Sequence, residues 1–337
     1  MISAIGQTEF VQVAAPQPGH GEILLSVRHV GLCGSDLNTF LGSNPLVTLP
    51  RIPGHEIGAV ILAVGADVPT EFAVGQRVIV IPYTTCGTCS ACRAGRVNAC
   101  RFNRTLGVQQ DGGMAAHLMV RPDRLIRNAT LPPRHLALVE PLSVGFHAIA
   151  RGAVNPGETV VVLGGGMIGV GVILGALARG ARVIVAEVSA AKAAPLRALG
   201  VAAVINPVTN NLATEIARLT ADLGPDLVVE AVGLPETFRA AVDLASYAGR
   251  VVYVGYAKTE VSYNTALFNL KELNIFGSRN ATRADFEAVI AYLETAPALA
   301  DSLISRVFPF AEADQAFAYW QANRSETFKV MVELPAD

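Results

Sequence analysis

Residues 159–169 read TVVVLGGGMIG. Five strand-forming residues run without a break into three glycines, and a long apolar segment follows. Gly164, Gly166 and Gly169 fit G-x-G-x-x-G, with Gly165, Met167 and Ile168 between them. The pattern alone is weak. A strand before it and a helix after it are the context in which it binds a dinucleotide. Glycines let the backbone approach a pyrophosphate, and the helix N-terminus offers amide donors and a positive dipole end. A bilayer span is the competing reading, because the twenty residues between Glu158 and Arg179 are uncharged. The glycines and the β-rich start argue instead for a buried strand, a turn and a helix. The next strand, RVIVAEV, carries Glu187 where an acid grips the adenosine ribose hydroxyls. That carboxylate repels a 2′-phosphate. No arginine follows it immediately, and Lys192, the nearest cation, falls on the next helix. NAD is therefore expected rather than NADP. A glycine turn made only for packing is the plainer alternative.

From Pro156 onward strands and helices alternate, which predicts a parallel sheet with crossover helices. The strands DLVVEAVG, RVVYVG and LNIFGS end near Val232, Gly255 and Ser278, further candidate cofactor contacts. Before this region the chain is mainly β, with strands expected at 22–31, 57–64 and 77–82. After it come helices near 283–294 and 311–322 and a closing strand, FKVMVEL. The expected division is residues 142–278 for the dinucleotide domain, with 1–141 and 279–337 forming the other. At 337 residues, two domains are also the prior from length.

Apolar residues make up 51% of the chain and charged residues 16%, with a net charge of −2. That balance argues against nucleic acid as a main partner. The N-terminus, MISAIGQTEF, has no basic segment followed by an apolar core, so no export signal is read and a cytoplasmic location is expected. An odd number of cysteines, five, fits a reducing compartment.

Four of those cysteines, Cys86, Cys89, Cys92 and Cys100, share the loop CGTCSACRAGRVNAC. The spacing C-x2-C-x2-C-x7-C lets four thiolates reach one ion, and Gly87 and Gly95 permit the turns. Four sulfurs leave no open position, so the expected zinc is structural. Disulfides, free thiols or a redox C-x-x-C pair are the alternatives. Cys33 stands apart. His55 and Glu56 in GHE and Glu140 in VEP are its candidate partners. A thiolate, an imidazole and a carboxylate leave one position for water or substrate, as in a catalytic zinc site. Taken singly, each is more often a packing or surface residue.

The segments GHGEILLSVRHVGLCGSDLN, PGHEIGAVILAVG, CGTCSACRAGRVNAC, VEPLSVGFHAIARG and GGGMIG, in this order, resemble the zinc-dependent medium-chain dehydrogenase/reductases over nearly the whole chain. EPLSVGFHA is similar to the sorbitol dehydrogenase-like branch, and GVQQDGGMAAHLMV and GSRN to bacterial polyol and hexonate oxidoreductases. The resemblance implies a GroES-like β-rich catalytic domain beside a Rossmann domain, an α/β fold, with two zinc ions per chain. Cys33 and His55 would bind the catalytic zinc, with Glu56 and Glu140 sharing the remaining ligation. Ser35 would touch the substrate oxygen, Asp36 would orient His55, and Arg279, with Asn280 beside it, would face substrate. Alcohol dehydrogenases use two cysteines and a histidine; here a carboxylate replaces the second cysteine. Many relatives carry a relay histidine five residues after the catalytic cysteine. This chain has Asn38, which cannot take up a proton.

The reaction implied is oxidation of a secondary alcohol to a ketone with hydride passing to NAD. Arg279, Asn280, Arg104 and Gln109 favour a sugar acid or polyol, since a guanidinium suits a carboxylate. Arg104 and Gln109 could equally face solvent. An L-threonine 3-dehydrogenase is the second enzyme reading, and a non-catalytic dinucleotide-binding regulator the reading from another class. The resemblance further implies a homodimer or homotetramer formed through the Rossmann sheet edge, for which RVVYVGY is the expected strand, and no membrane partner.

Overall fold

The computed structural model describes residues 1–336. It separates into two compact units, Met1–Glu140 with Thr282–Asp337, and Pro141–Ala281. In chain order the strands are β1 (Ile2–Ala4), β2 (Gln7–Thr8), β3 (Ile23–Gly31), β4 (Glu56–Val64), β5 (Arg77–Val80), β6 (His117–Val120) and β7 (Leu125–Arg127). Then come β8 (Thr159–Leu163), β9 (Arg182–Ala186), β10 (Ala203–Ile205), β11 (Leu227–Glu230), β12 (Arg250–Tyr253) and β13 (Asn274–Gly277), and last β14 (Ile304–Pro309) and β15 (Lys329–Glu333).

The second unit is one parallel sheet in the order β10-β9-β8-β11-β12-β13. Helices connect its strands, so both faces are covered, and such strands need no polar side. Val160, Val161, Val162, Val183, Ile184, Val185, Val228 and Val229 are accordingly all fully buried. The chain runs outward from β8 to β10, then returns to the other side of β8 as β11. That reversal leaves a crevice at the carboxyl ends of β8 and β11, where open α/β sheets bind ligands. The apolar helix Met167–Ala178 buries Gly169 through Ala176. Among the described residues no helix is long and apolar enough to cross a membrane. One expectation fails. RVVYVGY does not form the sheet edge: β12 is paired on both sides, by β11 and β13, and β13 takes the edge. Apolar strands with two covered faces look alike in sequence whether central or lateral, because only pairing order separates them.

In the first unit, β14-β15-β3-β4-β5-β7 form a seven-stranded sheet together with β6, which pairs β3. Leu25, Val27, Val30, Ile57, Ala59, Ile61, Val78, Val80, Val330 and Val332 share its core. β15 pairs β3 with Met331 opposite Gly31, and Gly31 in turn lies opposite Glu56 on β4. The C-terminal strand is thus laid beside β3, which leads to Cys33, and β4, which follows His55, pairs with the other side of β3. β5 ends at Val80 rather than at residue 82; Pro82 has no N–H to continue a ladder. The helix expected near 311–322 begins at Ala313, after a single 3-10 turn.

Candidate metal centre and cofactor turn

The cysteine loop closes into a cage. The four sulfurs lie within 4.8 Å of one another. Cys86 and Cys92 Sγ are 4.0 Å apart, and Cys89 and Cys100 Sγ 3.9 Å. These separations are far too long for disulfides. They approach the edge of about 3.8 Å of a tetrahedron with 2.3 Å zinc–sulfur bonds. Amides of Thr88 and Cys89 hold the Cys86 thiol down to about 6, so it is a thiolate at neutral pH. Burial pushes Cys92 up to about 11. Four thiols cannot all ionise together without a cation, and one divalent ion removes that conflict.

The second cluster is assembled from distant segments. Cys33 precedes the helix Gly34–Phe40, whose third residue is the buried Asp36. Asp36 Oδ2 accepts from Cys33 N at 2.9 Å, and Oδ1 accepts from Gly54 N at 3.4 Å. One carboxylate thereby ties the Cys33 segment to the His55 segment. His55 Nδ1 lies 3.9 Å from Asp36 Oδ1. Cys33, His55 and Glu56 offer ligand atoms within 4.8 Å of one another, and Glu140 is not in that compact set. Glu140 stands in the first turn of the helix Val139–Arg151, close enough for its charge to act on His55. The Ser35 hydroxyl and His55 Nδ1 are both buried without a hydrogen-bond partner.

Each carboxylate is already held. Lys329 Nζ, on a side chain 2% exposed, donates to Glu56 Oε1 and Oε2 at 2.7 and 2.6 Å and to Leu32 O at 2.9 Å. Gly31 makes room: a Cβ there would fall 2.0 Å from Glu56 Oε2. Tyr83 donates its phenol proton to Glu140 Oε1. Sequence reasoning singled out neither Lys329 nor Tyr83. The one available signal was a lysine inside the apolar strand FKVMVEL, which charge rarely enters unpaired.

Burial opposes charging of His55, but Asp36, then Cys33 and Glu140, raise it well above its ordinary value. Burial raises Glu140 and, followed by the Glu140 charge, raises Tyr83. At His55 the negative neighbours prevail over burial, whereas at Glu140 and Tyr83 burial leads. Buried thiolate, imidazole and carboxylate donors brought together in this way fit a divalent zinc ion.

In the other unit, the glycine turn fits a dinucleotide. Gly164 has φ 98°, a left-handed conformation, and a Cβ at Gly169 would fall 1.9 Å from Gly164 O. A Cβ at Gly165 would crowd Leu196 and Glu187. Gly166, the N-cap of the helix, is different: a Cβ there would meet nothing within 4 Å, and its backbone is in the extended region. Among the described residues nothing crowds position 166, and the open space over it fits a pyrophosphate. Met167 and Ile168 form the half-buried first turn of the helix. Glu187 Oε2 accepts from Gly165 N and Oε1 from Ser189 N, each at 2.8 Å. The acid is thus locked onto the turn. Lys192 lies inside the helix Ala190–Ala198 and is 9% exposed.

Val232 packs a methyl over Gly164, and Gly255 abuts Glu230. Glu230, which sequence reasoning passed over, joins these strand ends: Oε1 accepts from Val232 N, Gly233 N and Thr237 Oγ1 at 2.8, 2.7 and 2.7 Å. Ser278 is buried at the end of β13, Arg279 is exposed, and Asn280 has φ 52°. Of the polar residues proposed near substrate, Arg104 Nη2 donates to Gln109 O, and Thr105 N donates to Gln109 Oε1. These two side chains serve the loop that follows Cys100.

Family models described as an alcohol dehydrogenase GroES-like domain and a zinc-binding dehydrogenase match residues 19–132 and 168–295. An L-galactonate-5-dehydrogenase of Escherichia coli is 34% identical over 320 residues, 94% of this chain and 93% of that one. An Escherichia coli alcohol dehydrogenase structure, complexed with NADH, superposes with a TM-score of 0.91 at 29% identity, covering 98% of this chain and 97% of that one. A zinc-binding dehydrogenase structure from Sinorhizobium meliloti, bound to NADP, gives 0.87 at 29% identity with the same coverage.

Proposed function

The chain belongs to the zinc-binding alcohol dehydrogenases, and from that premise we propose that it oxidises a secondary hydroxyl of a sugar acid or polyol to a ketone, with NAD as hydride acceptor. The observation that carries the reading is the second buried donor cluster, Cys33 with His55 and Glu56 and with Glu140 nearby, beside a separate and complete four-cysteine cage. A binding-only regulator has no use for an open thiolate–imidazole–carboxylate set.

Distance and energy disagree about the third ligand. Glu56 is the nearer carboxylate, but both its oxygens are on Lys329. Separating a buried ion pair costs about 3–5 kcal/mol. A hydrogen bond to a charged group contributes about 1.5–3 kcal/mol. The energetic argument favours Glu140, because a metal can share its carboxylate with the Tyr83 phenol without separating a buried ion pair. Cys33, His55 and Glu140 would therefore hold the catalytic zinc, with Glu56 left on Lys329. When bound, zinc supplies Lewis acidity at the substrate hydroxyl and NAD the hydride acceptor. Ser35 Oγ, buried without a partner, takes the substrate proton and passes its own onward through water, since Asn38 cannot relay it. Asp36 places His55 through the backbone of Cys33 and Gly54, and Glu187 would hold the ribose hydroxyls and exclude a 2′-phosphate.

The L-galactonate-5-dehydrogenase relative supports a hexonate, and Arg279 is the cation assigned to its carboxylate. L-threonine is the second candidate substrate. The chain works as a homodimer or homotetramer in the cytoplasm. The exposed edge strand β13, with Ile275 37% exposed, supports assembly, and five cysteines without a disulfide support a reducing compartment. A panel of aldonates, polyols and L-threonine, followed by NADH absorbance, tests the reading. Turnover is expected with an aldonate or polyol. Turnover of L-threonine alone reassigns the substrate, and no turnover with any of them on zinc-replete protein overturns the reading.

A further inference from the structure

We propose that Tyr83 is a positioning residue for Glu140: its phenol keeps one carboxylate oxygen, so that Glu140 meets the catalytic metal through the other oxygen alone. The proposal rests on the reading of Glu140 as a ligand. Tyr83 is 6% exposed and donates to Glu140 Oε1, on a carboxylate that is itself 4% exposed. Two constraints hold it there, a backbone ladder and a ring contact. Its backbone forms an antiparallel bridge with Thr105. The next residue fastens the same ladder, with Thr84 N donating to Arg104 O at 3.3 Å and Arg104 N to Thr84 Oγ1 at 2.7 Å. Its ring meets Phe286 edge-on, with centroids 6.3 Å apart and planes at 81°.

A phenol pinned at backbone, ring and tip cannot follow a carboxylate that swings. Bidentate ligation by Glu140 would share Oε1 between metal and phenol and weaken the hydrogen bond of a buried hydroxyl, which is unfavourable. Monodentate ligation keeps both bonds. The arrangement also explains where the tyrosine sits in the chain. Tyr83 lies three residues before Cys86, and its bridge partner Thr105 lies five after Cys100. The two-stranded foot of the cysteine cage is therefore the part that presents the phenol. Folding of the cage around its zinc fixes Tyr83, and Tyr83 fixes Glu140. The outer partners of metal ligands orient them, and their removal costs about 10- to 100-fold in metal affinity.

The test exchanges the catalytic zinc for cobalt(II) and records the visible ligand-field spectrum, together with the rate at which EDTA removes the metal. Wild type is compared with Glu140→Ala, Tyr83→Phe and Phe286→Leu. Glu140→Ala is expected to change the spectrum, because a ligand is lost. Tyr83→Phe, which removes only the hydroxyl, is expected to shift the spectrum and weaken metal retention about 10- to 100-fold, with the cage metal still bound. Phe286→Leu, which alters ring packing but keeps the hydroxyl, is expected to match wild type. A Tyr83→Phe protein with the wild-type spectrum and metal release overturns the proposal while leaving Glu140 a ligand. A Phe286→Leu effect as large as that of Tyr83→Phe overturns it too, by making packing the cause. An unchanged spectrum in Glu140→Ala refutes the ligand reading itself, and the Tyr83 proposal falls with it.

Discussion

The two candidate metal clusters of the first unit are built on opposite plans. All four donors of the cage lie between residues 86 and 100, on one loop with its own turns. The open cluster draws Cys33, the adjacent pair His55 and Glu56, and Glu140 from three separate segments, and depends on Asp36, Tyr83 and Lys329 to hold them. The cage needs only its own ion to close. The open cluster is a product of the sheet, since β15 brings Lys329 to Glu56 and β3 and β4 bring Gly31 to the same carboxylate. A local site that depends on its ion to fold takes the loop, and what rests on the loop, with it when the ion is lost. A site spread over the fold can lose its ion and keep its framework.

The largest effect expected is at the cage. Cys100→Ser should remove one zinc and cost folding free energy comparable with the whole margin of a domain, about 5–15 kcal/mol, seen as aggregation on expression. A folded variant with both zinc ions would break the contrast. At the open cluster, Cys33→Ser should also lose one zinc but keep its melting temperature within a few degrees. Activity should fall by about 1000-fold or more, as expected for several kcal/mol of lost transition-state stabilisation. Metal analysis and calorimetry on the two variants separate the plans directly.

Lys329→Met sharpens the contrast from within the open cluster. It strands a buried carboxylate, which should cost about 3–5 kcal/mol, with recovery in the double variant Lys329→Met/Glu56→Gln. An unchanged melting temperature would mean that the metal, not Lys329, neutralises Glu56, and the two glutamates would exchange roles. Arg279→Ala should lower kcat/KM for an aldonate by about 30- to 1000-fold, the loss of a charge-assisted bidentate contact of about 2–4 kcal/mol, with lysine rescuing poorly. An aldonate-to-polyol activity ratio that does not move removes Arg279 from carboxylate recognition. Smallest is Glu187→Ala, expected to raise KM for NAD by about 10- to 100-fold and narrow the gap to NADP. Wild-type protein that prefers NADP in kcat/KM refutes the assignment.

Much of this was open to reading in the chain itself. Cysteine spacing within one loop, the glycines after TVVVL, and valine-rich strands alternating with helices are local patterns, and local geometry follows from them. GHE and VEP drew attention as residue types, but their meeting did not follow from spacing. Pairing order is a long-range property. It decided that β13 rather than β12 lies at the sheet edge and that Lys329 reaches Glu56 across nearly the length of the chain, while the packing of a helix decided that Glu140 meets Tyr83. The physical reason is the same in each case. Sequence specifies which side chains must be buried and which turns are permitted, whereas a buried charge is neutralised by whichever residue the sheet sets beside it.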